Sequence, residues 1–214
     1  GETVMEVWMK AGKIKRLGIM GGTFDPVHYG HLVAAEGVRH EFELEKVIFI
    51  PAARPPHKTD KEMTSPEHRL AMVKSAISSN KYFEISAIEA KRKGISYTID
   101  TVREVRELNP GASIYFITGA DAVLEILTWK KVEELLGICK FIAATRPGYN
   151  LENLEQTLSS LPGEYFKNIY TMEVPALAIS STDIRYRVSR GWPIKYLLPE
   201  TVERYIYENK LYMV

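Results

Sequence analysis

Gly21-Gly22-Thr23-Phe24-Asp25-Pro26-Val27-His28-Tyr29-Gly30-His31 stands directly behind the short apolar run Leu17–Met20. That run does not alternate with polar residues, which is the pattern of a strand covered on both faces. Gly21 and Gly22 let the backbone turn sharply and come close to a ligand. A helix starting near Gly30 then points its unpaired amides and positive dipole end into the same space. His28 and His31 lie three apart at that helix start, so both rings can face one anion, for which Gly30 leaves room. Two histidines can donate hydrogen bonds to phosphate oxygens without a metal. Strand, glycine turn and helix together make a candidate anion-binding loop.

The rest of the chain repeats that rhythm. Val47–Ile50, Phe83–Ile85, Ile114–Thr118, Phe141–Ala144 and Ile169–Met172 are further short runs rich in β-branched or aromatic residues. Helical patterns fall between them. Leu32, Ala35, Val38 and Phe42 share one face, as do Ile99, Val102, Val105 and Leu108, while Glu67–Ile77 and Trp129–Leu136 are further candidates. This alternation predicts a Rossmann-like α/β fold, an open parallel sheet with helices on both faces. In such sheets ligands sit beyond the carboxyl ends of the strands, where strand order reverses. Residues 14–214 read as one domain, with a helical C-terminal part from about 180 broken at Gly191-Trp192-Pro193; residues 1–13 read as a lead-in.

Composition narrows the function classes. The 214 residues are 45% apolar and 26% charged, enough to bury a core, and the formal net charge is only +1. No global field draws in nucleic acid, so any anion must be met by a local cluster. The single cysteine, Cys139, lies in an apolar stretch and reads as a buried structural thiol, in keeping with a cytoplasmic setting. No run approaches the ~20 apolar residues of a membrane helix, and no secretory signal is expected. Oligomeric state stays open, a homodimer being compatible with the sequence.

The histidines have two alternatives to phosphate binding. A zinc pair would want further Cys or His at defined spacing, which Cys139 does not supply; two idle surface histidines leave the rest of the string unexplained. The P-loop and G-x-G-x-x-G signatures are absent, so neither a P-loop enzyme nor a standard dehydrogenase is expected. A second anchor lies at Ile179-Ser180-Ser181-Thr182-Asp183-Ile184-Arg185. Alone, its hydroxyls read as a plain helix cap, yet first-turn amides cradle phosphate and Arg185 can bind one bidentately.

The string GGTFDPVHYGHL resembles the signature of nicotinate mononucleotide adenylyltransferases, within the nucleotidyltransferase superfamily that carries an H-x-G-H motif. Class I aminoacyl-tRNA synthetases share the H-x-G-H core, so further agreement is needed, and ISSTDIR matches the family's second motif. Pro55-Pro56-His57-Lys58, Ser96-Tyr97-Thr98-Ile99-Asp100-Thr101, Gly119-Ala120-Asp121, the L-x-x-W pattern ending at Trp129 and Arg146-Pro147-Gly148 match other elements of the same family in order. Each has an ordinary alternative: a solvated lysine, helix caps at Thr98 and Asp121, a core tryptophan.

The resemblance implies an ATP site built by Gly21, Gly22, Thr23, Phe24, Gly30, Gly119, Asp121, Arg146, Ser180, Ser181, Thr182 and Ile184, with His28, His31 and Arg185 as the catalytic set. It implies a mononucleotide site with Lys58 on the phosphate, Tyr97 and Thr98 near the nicotinate carboxylate and Trp129 stacked on the pyridine. Asp121 would face the adenosine ribose. The implied reaction joins ATP, as its Mg2+ complex, to nicotinate mononucleotide in NAD biosynthesis; Asp25 is a suspected metal contact, though no protein ligand to the metal is assigned. The rivals are a related H-x-G-H transferase acting on nicotinamide mononucleotide or phosphopantetheine, a non-catalytic nucleotide sensor, and a tRNA-handling protein. Neither a nucleic-acid nor a membrane partner is expected.

Overall fold

A computed structural model describes residues 15–53, 63–125, 128–159, 162–175 and 178–214. Its centre is a six-stranded sheet: β1 (Arg16–Gly22), β2 (Lys46–Pro51), β3 (Phe83–Ile85), β4 (Ser113–Gly119), β5 (Lys140–Thr145) and β6 (Ile169–Glu173). The order is β3-β2-β1-β4-β5-β6 and every pairing is parallel. Each run expected to be a strand is one. The helices are α1 (Tyr29–Glu41), α2 (Pro66–Ile77), α3 (Ile88–Lys91), α4 (Thr98–Leu108), α5 (Ala120–Leu124), α6 (Val132–Ile138), α7 (Leu151–Leu158), α8 (Gly163–Phe166), α9 (Ser181–Ser189) and α10 (Glu200–Glu208).

Period-two side-chain alternation splits the core into two layers. Met20, Phe49, Ile117 and Ile142 point to one face, where Ala35 and Val38 of α1, Met72 and Val73 of α2, Ile184 of α9 and Val202 of α10 cover them. Ile19, Ile50, Phe116 and Phe141 point to the other, beneath Ile99 and Val102 of α4, Leu135 of α6 and Leu154 of α7. Both the first loop and the C-terminal helices therefore belong to one side of the sheet. Because β1 is flanked by β2 and β4, with crossovers leaving in opposite directions, the crevice opens above the ends of β1 and β4.

Two details depart from the sequence expectation. Leu108 is 68% exposed, because α4 ends there and its last turn has left the core. The helix expected from Trp129 begins at Val132, since Lys131 takes a left-handed φ of 54° ahead of it.

Candidate active site

The turn after β1 is made differently from the expectation. Gly21 and Gly22 close the strand, and the positive φ belongs to Phe24, at 53°. Phe24 is 1% exposed; its ring lies against Gly22 and meets His31 edge-on at 4.9 Å between centroids. What the two glycines supply is space, since a Cβ on Gly21 would sit 2.8 Å from Phe116 Cζ.

At the start of α1 the histidines build a reciprocal cap. The Gly30 amide donates to His28 Nδ1 at 3.0 Å, and the His28 amide donates to His31 Nδ1 at 3.1 Å. These bonds satisfy amides that a helix start otherwise leaves unpaired. They also fix the tautomer: with each Nδ1 accepting, the ring proton of each neutral imidazole sits on Nε2. The rings stack with centroids 3.8 Å apart, so two N–H donors stand side by side. Gly30 makes this possible in a way the sequence did not suggest. A Cβ there would lie 2.8 Å from His28 Cε1, so the room it leaves is filled by the His28 ring rather than by a ligand.

Burial pulls the His28 pKa down to about 4. Burial, then the neighbouring His28, holds His31 well below the ordinary histidine value. Both rings are neutral at pH 7, and their protonated forms favour the unfolded chain. This stabilisation is complete above pH ~6.5, the ordinary histidine value, and is lost as pH falls toward the folded value. For His28 the loss is expected to reach roughly 3 kcal/mol. Urea unfolding of the ligand-free protein across pH 6.5 to 4, beside His28→Asn, checks it. Asparagine retains a cap but does not titrate, so equal slopes for the two proteins would exclude the histidine as the source.

The second anchor comes to the first. Ser180 caps α9 by accepting from the Asp183 amide at 3.1 Å, leaving Ser181 and Arg185 to face the turn. Ser181 Oγ donates to the Pro26 carbonyl at 2.7 Å; Arg185 Nη1 donates to the Asp25 carbonyl at 2.9 Å and Nη2 to Thr182 Oγ1 at 3.3 Å. Chain segments separated by some 160 positions are thus joined by their own side chains.

Two cavities flank the strand ends. The first, about 310 Å³, is lined by His28, Gly30, His31, Gly119, Asp121, Arg146 and Ser180, together with Thr118, Thr145 and Tyr149. The second, about 210 Å³, is lined by Gly21, Gly22, Thr23, Thr98 and Trp129, together with Glu89, Ser96 and Phe116. Thr118, at the end of β4, lines both. Trp129 packs edge-on against Phe116 at 6.1 Å. Glu89 is the titratable group of the second cavity; burial pushes its carboxyl up, against the Thr101 hydroxyl that donates to it at 2.8 Å.

Some expected residues stand elsewhere. Phe24 and Ile184 are packed in the core, at 1% and 0% exposure, and line neither cavity. Tyr97 lies under the Lys130 ammonium, 4.3 Å from its ring centroid, rather than in a cavity wall. Thr98 is the first helical residue of α4, and its predecessor Tyr97 occupies the cap position without a side-chain bond. Asp25 is 3% exposed; one oxygen accepts from the Thr64 amide at 3.0 Å and the other from the Tyr212 hydroxyl. Lys58 falls outside the described residues. Cys139 is free and buried, as expected, and burial pushes its thiol up. Among the described residues no helix is long and apolar enough to cross a membrane.

Sequence reasoning missed Arg69. It is fully buried and grips carbonyls on three segments: Thr64 at 2.8 Å, Thr23 at 2.9 Å, Ala52, and Ala53 at 3.4 Å. A signal existed, since Arg69 sits three and four residues before Met72 and Val73 on the apolar stripe of α2.

A family model described as cytidylyltransferase-like matches residues 19–187. A protein of Moorella thermoacetica described as a probable nicotinate-nucleotide adenylyltransferase is 61% identical over 198 residues, covering 92% of this chain and 91% of the relative. One of Desulfitobacterium hafniense with the same description is 57% identical over 201 residues, covering 94% and 97%. Among solved structures, a Plasmodium falciparum nicotinic acid mononucleotide adenylyltransferase complexed with NaAD superposes with a TM-score of 0.76 at 22% identity, covering 92% of this chain and 97% of that one. That likeness supports the fold.

Proposed function

The chain belongs to the cytidylyltransferase-like family and, within it, to the nicotinate-nucleotide adenylyltransferases, and on that premise we propose how its residues carry out the reaction. The enzyme transfers the adenylyl group of ATP to nicotinate mononucleotide, giving nicotinate adenine dinucleotide and pyrophosphate for NAD biosynthesis. The mononucleotide's phosphate oxygen attacks the α-phosphorus in line and the P–O bond to pyrophosphate breaks. A phosphate monoester is already ionised at neutral pH, so no general base is assigned. The rate enhancement comes from alignment and from neutralising charge on the leaving group.

The observation that carries this reading is the meeting of the first loop with α9. Ser180 shares a cavity wall with His28 and His31, while Arg185 and Ser181 are tied to the same turn. ATP occupies the first cavity, with Asp121 toward its ribose and Arg146 alongside. The Nε2–H donors of His28 and His31 meet the phosphates, and Arg185 with Ser181 and Thr182 holds the leaving pair. The mononucleotide occupies the second cavity with its ring against Trp129, and Thr98 at its nicotinate end. The shared wall at Thr118 marks where the two reactants meet. Phe24 and Ile184 shape the site from below, through the backbone they anchor. Lys58 is assigned to the mononucleotide phosphate on its motif alone.

Magnesium would arrive with ATP and would supply positive charge to its phosphates, and because it gives up water reluctantly it would need few protein ligands. Asp25 is given no part in holding it, because its buried carboxylate already accepts from the Thr64 amide and the Tyr212 hydroxyl. A reducing compartment such as the cytoplasm suits the one buried free thiol.

Pyrophosphate release with ATP and each of nicotinate mononucleotide, nicotinamide mononucleotide and phosphopantetheine tests the assignment. The first acceptor is expected to be fastest; preference for phosphopantetheine would overturn it. In the same assay Trp129→Ala is expected to raise KM for the pyridine mononucleotide about tenfold, the worth of one stacked ring, and to leave KM for ATP near its starting value. Equal changes in both would place the ring elsewhere.

A further inference from the structure

We infer that Asp25 is a positioning residue for Arg185, held in place by Tyr212 at the far end of the chain and by Arg69 beneath the loop. The inference rests on the assignment of Arg185 to the leaving phosphates. Arg185 does not reach the first loop through a carboxylate. Its Nη1 donates to the main-chain carbonyl of Asp25, so the guanidinium stands wherever that carbonyl stands. The Asp25 side chain fixes the carbonyl. Its buried carboxylate accepts from the Thr64 amide at 3.0 Å and from the Tyr212 hydroxyl, 187 positions away.

Arg69 completes the frame. Its guanidinium holds the Thr23 carbonyl two residues before Asp25 and the Thr64 carbonyl of the residue whose amide meets Asp25. One buried cation and one buried anion thereby clamp the turn from two sides, with Arg69 donating also to the Ala52 and Ala53 carbonyls and the Tyr212 phenol donating to Asp25. Burial and then the Asp25 carboxylate push the Tyr212 phenol up, so it remains a protonated donor. No buried side-chain nitrogen or oxygen among the described residues lacks a partner. Removing the phenolic oxygen strands one oxygen of a buried carboxylate, which must move to find another donor. Its carbonyl moves with it, and so does Arg185. Displacements of about 1 Å at an aligned transferring group cost up to a hundredfold in rate.

The test is Tyr212→Phe, assayed well below its melting temperature with each substrate varied in turn, beside Arg185→Ala and the double variant. Tyr212→Phe is expected to lower kcat roughly tenfold with KM for the mononucleotide unchanged. The double variant is expected to be no slower than Arg185→Ala alone, because the phenol acts only through that arginine. Asp25→Asn, which keeps shape and volume but turns one of the two acceptor oxygens into an NH2 donor, so that the Thr64 amide and the Tyr212 hydroxyl cannot both donate to it, is expected to reproduce the pattern. It stands in if Tyr212→Phe fails to fold. A Tyr212→Phe enzyme with lowered Tm but unaltered kcat, or losses that multiply in the double variant, would overturn the positioning role. Near-normal turnover by Arg185→Ala would overturn the assignment beneath it instead.

Discussion

His31→Ala is expected to leave the fold standing while lowering kcat about a hundredfold or more, the usual cost of removing one donor aimed at developing charge. Two consequences of the substitution have to be separated. Structurally, the ring contributes half of the reciprocal cap on α1, an edge contact with Phe24 and a stack on His28. A lost cap costs about 1 kcal/mol and each of the two lost ring contacts about as much again. That sum is survivable for a domain whose stability is ordinarily about 5–15 kcal/mol. Chemically, the loss is one of two parallel Nε2–H donors. His28 does not replace it, because its own donor keeps its direction through the Gly30 amide. The effect should therefore fall on kcat, with KM for nicotinate mononucleotide little changed. Circular dichroism and a melting curve confirm the fold, and steady-state kinetics at saturating substrates read the rate. A folded variant turning over near the wild-type rate would remove His31 from the chemistry.

The same donor geometry shows where sequence reasoning reached and where it stopped. The four central strands were legible because a strand buried on both faces leaves an uninterrupted apolar run; the edge strands β3 and β6, partly exposed, were read from their β-branched and aromatic residues. The long helices were legible from their apolar faces. The short helices α3, α5 and α8 were not, since four or five residues cannot display a 3.6-residue repeat, and the two-turn helix α7 was missed as well. At the site, the pairing of the histidines with Ser180 and Arg185 followed from two motifs and the rule that ligands bind above the strand ends. The reason for Gly30 was misread, because whether its empty space belongs to a ligand or to a neighbouring ring depends on the His28 rotamer, which no spacing encodes. Asp25 was suspected as a metal contact in sequence from its place beside the histidines. Its hydrogen-bond partners, Thr64 and Tyr212, are brought in only by the closed fold.

Arg185→Ala is expected to cost a further class of rate, about 10²- to 10³-fold in kcat, because it removes the cation that meets negative charge on the departing phosphates. Arg185→Lys is expected to recover little of it. The arginine spends Nη1 on the Asp25 carbonyl and Nη2 on Thr182 Oγ1, and the remaining edge of the same planar fork is what a phosphate would meet. A lysine ammonium is a single point of charge on a flexible stem; it can keep the tie to the loop or reach the phosphate, and it cannot do both. The reverse reaction separates this role from a general loss of structure. With nicotinate adenine dinucleotide and pyrophosphate as substrates, KM for pyrophosphate should rise in both variants far more than KM for the dinucleotide, whose proposed places are the two cavities walled by Asp121 and by Trp129. Parallel increases in the two constants would mean that Arg185 braces the turn without touching the leaving group.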